Sequence, residues 1–128
     1  MVVLVIEVGA ELVTRLRATF ARRDEVRFHH VEPRSDVVIS AALQFQPQVV
    51  VLGMGVIPHN TIRPLWPRLG TRAPRVLLAQ RAPTPAERYA WAREGVAGVY
   101  DVNDDYPTLI AELEPGTGPG PELTGEVA

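Results

Sequence analysis

The chain has no cysteine and no lysine. Without cysteine there are no disulfides, no thiolate metal sites and no cysteine nucleophile. Without lysine there is no ammonium group to form a Schiff base or to neutralise a transferring phosphoryl group; all thirteen basic residues are arginine. Aromatic residues make up only 6% of the chain, too few to interleave a nucleic-acid-binding surface. No apolar run approaches the roughly 20 residues that a membrane span requires. The first residues, VVLVIEV, carry neither a charged leader nor a small-residue cleavage site, so a cytoplasmic protein is expected.

What is present is ordinary for a globular domain: 128 residues, 46% hydrophobic, 22% charged, net charge −2. That length predicts one domain with a proper core. The charge is unevenly placed. Residues 47 to 100 hold seven arginines against Glu87 and Glu94, whereas residues 101 to 128 hold seven acids and no base.

The organising stretch is Pro47 to Pro58, PQVVVLGMGVIP. Gln48 to Leu52 is too short for a helix and too unbroken for a half-exposed strand, the pattern of a parallel strand buried on both faces. Val2 to Ile6 has the same character. Arg75 to Ala79 and Val99 to Val102 supply the fourth and fifth strands, and Val26 to Val31 alternates like a strand at a sheet edge. Helices are expected between them. Leu12, Leu16 and Phe20 form one stripe in Glu11 to Arg22, with Arg15, Arg22 and Arg23 facing solvent. Ser35 or Asp36 is the expected cap of a helix built on Val38, Ala42 and Phe45. Asn60 to Leu69 is weakened by Pro64 and Pro67. Thr84 and Pro85 start a helix that runs to Glu94 and stops at Gly95. Asp105 caps Pro107 to Glu114. Half of the last fourteen residues are Pro or Gly, so residues 115 to 128 read as a disordered tail or a linker behind a domain of residues 1 to 114.

Five strand–helix repeats of this spacing predict an α/β flavodoxin-like three-layer sandwich, with a five-stranded parallel sheet in the order 2-1-3-4-5. Ligands in such folds sit beyond the carboxyl ends of the strands. Glu7, Gly53, His59 and Asp101 are therefore the residues to weigh. Glu7 has only Asp101 or Asp104 nearby as fellow oxygen donors, fewer than a magnesium or calcium site uses, so a solvated strand-end carboxylate is expected. His29 and His30 are neighbours on a strand, point to opposite faces and cannot share a metal. His59 is the one acid–base group in the loop after the third strand. Gly53-Met54-Gly55 lacks the third glycine and the strong helix start of a phosphate-binding turn. Arg63, Arg68, Arg72, Arg75, Arg81, Arg88 and Arg93 are scattered, and with a pI near 5.9 they do not make a nucleic-acid footprint. No metal or cofactor is expected, and no DxHxxG string of the cobalamin-binding sandwiches occurs.

The string GVAGVYDVNDDYPTLIAEL, Gly95 to Leu113, and the strand-and-proline pattern PQVVVLGMGVIP resemble the receiver domain of bacterial two-component response regulators. The resemblance spans roughly residues 2 to 114. It implies a phosphorylation site after the third strand, where this chain has Gly53, or Met54 with a shift of one. It implies two metal-binding acids after the first strand, where Glu7 is followed by Val8. The hydroxyl residue of the fourth strand is replaced by Ala79 and the lysine of the fifth by Val102. The aromatic switch position falls on Val99, with Tyr100 on the opposite face.

Phosphoryl transfer depends on positioning and on charge stabilisation by metal and lysine. The resemblance thus implies an atypical, non-phosphorylatable receiver: not an enzyme, but a protein-interaction module in signalling or transcription control. In the family, dimers form through the fourth helix, fifth strand and fifth helix. Here that face carries Arg88, Tyr89, Trp91 and Arg93, then Asp101, Asp104, Asp105, Tyr106 and Glu112, a self-complementary distribution of charge. Two readings stand beside it. Tyr89 and Ala92 pack on the sheet beneath a solvated charged surface, or the cleft at Glu7, Gly53, His59 and Asp101 binds a small ligand or substrate.

Overall fold

A computed structural model of the chain describes residues 1–53 and 74–114. Five strands and four helices alternate along these residues: β1 (Val2–Ile6), α1 (Glu11–Thr19), β2 (Arg27–Val31), α2 (Ser35–Phe45), β3 (Val49–Leu52), β4 (Arg75–Gln80), α3 (Pro85–Arg93), β5 (Gly98–Asp101) and α4 (Tyr106–Glu112). All strands are parallel, in the order β2-β1-β3-β4-β5, as the strand–helix alternation predicts. The helix expected over 60–69, together with Met54 and His59, lies outside the described residues, as does the segment 115–128.

The central strands β1, β3 and β4 are buried on both faces, which is why they read as unbroken apolar runs. Val3, Val5, Val49, Val51, Leu77 and Ala79 pack on Leu12, Leu16, Leu109 and Leu113 from α1 and the end of α4. The alternate residues Leu4, Ile6, Val50, Leu52, Val76 and Leu78 pack on Val38, Ala41 and Ala42 of α2. Each fully buried leucine or valine side chain contributes about 1.5–3 kcal/mol. The stripe predicted for α1 is buried as expected, although the helix ends at Thr19 and Phe20 is its cap.

Helix ends follow local chemistry. At α3 the Thr84 hydroxyl accepts from the Glu87 amide at 3.1 Å, and the Glu87 carboxylate accepts from the Thr84 amide at 2.8 Å. Pro85 occupies the first turn, and Gly95 adopts φ +101° just past the end. The expected cap of α2 is displaced: Arg34 holds the capping position with no side-chain bond, and Ser35 is already helical. The Gln46 backbone turns left-handed (φ 48°), and the chain then enters β3 through buried Pro47. The β2 strand is at the sheet edge, as its alternation predicts. The expectation that Tyr89 and Ala92 pack on the sheet is not met: α3 has no buried residue, Tyr89 is 68% exposed, and Trp91 is the half-buried contact to the α2-side core. A helix with one aromatic anchor and three alanines offers little apolar surface to bury.

Candidate functional site

Glu7 leaves β1 into the cleft and is fully buried at 0% exposure, so it is not the solvated carboxylate expected from sequence. Its carboxylate accepts from the Leu12 amide at 3.1 Å and the Val13 amide at 2.8 Å. These are two of the unpaired first-turn donors of α1, whose capping residue Ala10 has no side chain to meet them. The positive end of the helix dipole also favours a carboxylate there. Glu7 is thus a remote cap for α1, with both oxygens committed.

Gly53 follows β3 immediately. Its amide donates to the Ile6 carbonyl at 2.7 Å, and its own carbonyl accepts from the Gln80 side-chain amide at 2.9 Å. A Cβ at this position would stand 2.9 Å from the Glu7 Cβ and 3.3 Å from Leu12 Cδ2. The Glu7 side chain fills the space into which an acceptor residue at 53 would project. Ala79 is fully buried within the sheet, and Val102 is 5% exposed in the turn after β5. The Val102 carbonyl accepts from Arg15 Nη1 at 2.8 Å, and the Arg15 guanidinium lies 3.6 Å from the Tyr106 ring centroid.

Beyond β5 the acids are ordered by backbone and arginine. Asp101 Oδ1 accepts from the Asn103 amide at 2.8 Å and the Asp104 amide at 3.3 Å, folding the turn back on itself. Asp105 Oδ2 accepts from the Asp101 amide at 2.8 Å and from Arg88 at 3.1 Å, while Arg88 Nη1 donates to the Val99 carbonyl at 2.8 Å. The Asp101 amide, then the Arg88 guanidinium, hold the Asp105 carboxyl below its usual range. Asp105 occupies the capping position of α4 but makes no cap bond there, its carboxylate being used on β5 and α3. Arg75 at the start of β4 pairs with Glu112. Tyr106 turns away from the β5 surface: its hydroxyl meets Thr19 at 2.7 Å.

Of the expected interaction residues, then, Arg88, Asp101 and Glu112 are bound within the molecule. Tyr89 and Arg93 are exposed on α3, with the Arg93 guanidinium 5.8 Å from the Tyr89 ring centroid. Asp104 is exposed as well. Val99 and Tyr100 face opposite sides of the sheet as expected, and Tyr100 packs toward the α1/α4 side. The Tyr100 side chain packs against Gly98, whose absent Cβ would come within 2.8 Å of the ring. Burial raises the Tyr100 pKa, reinforced by Glu112.

Two features of the cleft escaped the sequence reading. Gln80 secures the Gly53 carbonyl, and Arg81 pairs with Glu11 at 3.2 Å across its mouth. Beneath that pair is a cavity of about 140 Å³ lined by Leu12, Arg15, Val102 and Asn103. No signal marks residues 70 apart as partners; the fold alone joins them. Among the described residues no three His, Asp or Glu side chains group as metal ligands.

No family model matches the sequence, and neither does any curated protein. Solved structures do. The BeF3-activated N-terminal receiver domain of Klebsiella pneumoniae RstA is similar at 17% identity and a TM-score of 0.69, over 88% of this chain and 95% of that one. The Salmonella typhimurium RcsB response regulator is similar at 14% identity and a TM-score of 0.67, over 99% of this chain and 68% of that one. In the promoter-bound RcsB structure the chain spans 65% of that protein's length. The pseudo-receiver domain of CikA is similar at 16% identity and a TM-score of 0.56, over 87% of this chain and 92% of that one. The doubly wound sheet, its order and its flanking helices are those of response regulator receiver domains, and this chain has the receiver fold.

Proposed function

We propose that this chain is a signalling module of receiver fold that does not accept a phosphoryl group and acts by contacts with protein partners. The observation that carries the reading is the packing at Gly53. The acceptor position has no side chain, and the neighbouring acid that would hold a metal is spent as the cap of α1. Ala79 and Val102 add neither hydroxyl nor ammonium, and no lysine exists to replace the latter. Phosphoryl transfer has no nucleophile and no charge clamp there.

The contact surface we assign is the exposed side of α3, centred on Tyr89 and Arg93, with Trp91 beneath and Asp104 beyond the end of β5. An aromatic ring with an adjacent guanidinium is the usual composition of a binding hot spot. Arg88, Asp101, Asp105 and Glu112 brace this surface rather than contact the partner. The domain works without cofactor, in the cytoplasm, and its acidic β5–α4 turn does not suit nucleic acid or an anionic membrane. Among the described residues no helix is long and apolar enough to cross a membrane. The competing reading, a small-ligand cleft, loses Glu7 as a free acid and, among the described residues, keeps the cavity under Arg81 and Glu11.

The test is to incubate the protein with magnesium and acetyl phosphate, or with beryllofluoride, and to follow intact mass and sedimentation equilibrium. Mass and association state are expected to be the same with and without these reagents. Association, with a partner or a second copy, is expected to weaken in Tyr89→Ala and Arg93→Glu at unchanged stability. A phosphoryl adduct, or assembly that appears only with beryllofluoride, overturns the proposal.

A further inference from the structure

The β2 strand closes the sheet at the end opposite β5, and among the described residues no strand lies beside its outer edge. The Arg27 amide donates to the Met1 carbonyl at 2.8 Å, and the Glu7 amide donates to the Val31 carbonyl at 3.2 Å. In a parallel ladder this parity turns Arg27, His29 and Val31 toward β1 and leaves the amides and carbonyls of Phe28 and His30 pointing outward. The Phe28 carbonyl confirms the direction, because it accepts from Arg17 Nη2 at 3.0 Å from outside the sheet.

Two grooves run beside this edge, one on each face. Toward α1, beside Phe28 at the start of β2, lies a groove of about 480 Å³ with Phe20 and Phe28 in its walls, and with three arginines, Arg17, Arg23 and Arg27, around it against one acid, Asp24. Toward α2, beside Val31 at the end of β2, lies one of about 370 Å³, lined by Val31 and Phe45 with Ser40, Gln44 and Asp36, the last paired with Arg34. Side chains of an added strand alternate between faces, so residues of one parity beside Phe28 face the first groove and residues of the other parity beside Val31 face the second.

Charge selects the occupant. Arg23 is already paired with Glu25 and Glu114, but among the described residues neither Arg17 nor Arg27 has a carboxylate partner. A second copy pairing edge to edge would set these arginines against their own counterparts, which is unfavourable. We propose that the free edge of β2 is a docking site for an extended peptide strand of a partner protein that carries acidic residues at alternate positions and small or apolar residues between them. The acids meet Arg17 and Arg27, Arg17 exchanging its bond to Phe28 for the incoming carboxylate, and the intervening residues enter the α2-side groove. This site is separate from the Tyr89/Arg93 surface and stands whether or not that surface associates.

The experiment uses the full chain, isotope-labelled, with a ten-residue peptide alternating glutamate and valine and its counterpart with lysine in place of glutamate. The glutamate peptide is expected to slow hydrogen exchange at the His30 amide and to bind at least about tenfold more tightly than the lysine peptide, with affinity falling as salt rises. His30→Pro removes an outward amide without touching the β1–β2 ladder, and it is expected to weaken binding by about tenfold or more at unchanged circular dichroism. Should that variant fail to fold, a peptide N-methylated at alternate amides makes the same comparison against the native protein. No binding, equal binding of both peptides, or full binding by His30→Pro or the methylated peptide overturns the proposal. So does His30 protection that grows with protein concentration in the absence of peptide, because the occupant is then a second copy.

Discussion

At the scale of single residues the cleft turns on the contact between Glu7 and Gly53. A buried carboxylate is tolerated only when its charge is met, and here two amides at a helix start meet it. Glu7→Gln keeps the shape but offers one acceptor and an NH2 group to two donors. It is expected to cost about 1–3 kcal/mol in denaturant unfolding, the penalty for an unsatisfied buried donor. Gly53→Ala places a methyl 2.9 Å from the Glu7 Cβ and is expected to cost about 1–3 kcal/mol by overpacking. By the same geometry Gly53→Asp, which restores an acceptor in name, gains no phosphoryl group from acetyl phosphate in the intact-mass assay. Unchanged stability in both Glu7→Gln and Gly53→Ala would show that this contact does not seal the cleft.

Secondary-structure elements differ in how firmly they are held. Helices α1, α2 and α4 each bury at least one residue in the core, whereas α3 buries none and rests on half-buried Trp91. Its integrity depends on its ends: the Thr84–Glu87 capping box, Pro85 in the first turn, and the bond from Arg88 to the Val99 carbonyl. Amide exchange under native conditions is expected to be faster in α3 than in α1 or α2, because local opening is governed by the apolar contacts an element must break. Thr84→Ala is expected to accelerate it further and to cost about 1 kcal/mol of helix stability. Exchange in α3 as slow as in α1 would contradict this picture. A lightly seated helix with an exposed tyrosine can adjust to a partner at small conformational cost, which is why the proposed contact surface is placed there.

For the molecule as a whole, the stability curve against pH has a legible limb. His29 stacks on Phe45 with ring centroids 3.8 Å apart. Burial, then the charges of Arg17 and Arg27, lower its pKa below the ordinary 6.5. The unfolded chain therefore binds a proton more readily than the folded one, and stability falls as pH drops through 6.5 toward the folded-state value. Thermal unfolding from pH 7.5 to 5 should show this loss, and His29→Gln should flatten it. Asp105 has the depressed carboxyl of the usual acid case, so its contribution persists until the pH falls below the ordinary 3.8. A His29→Gln profile identical to that of the native protein would mean that the loss arises elsewhere.

The architecture was legible in the amino-acid order because it rests on local periodicity. Apolar runs at Val2–Ile6 and Val49–Leu52, the α1 stripe, and the Thr84–Pro85 start with its Gly95 stop each declare their element within a few residues. Strand–helix alternation then restricts the sheet to a parallel one, in the order observed. The residues on which the proposed lack of phosphoryl transfer rests were legible too, since a glycine at 53, an alanine at 79 and a chain without lysine need no coordinates to be counted. What only the tertiary structure decided are contacts between residues far apart in the chain, and which of two neighbours faces inward. A carboxylate ending a strand looks the same whether it meets water or the amides of Leu12 and Val13. Arg88 looks free until the fold brings Asp105 and the Val99 carbonyl to it, and which of Tyr89 and Trp91 faces the core is decided only when α3 docks on the sheet. Periodicity specifies elements because it repeats along the chain; a partner 70 residues away leaves no trace in either sequence neighbourhood.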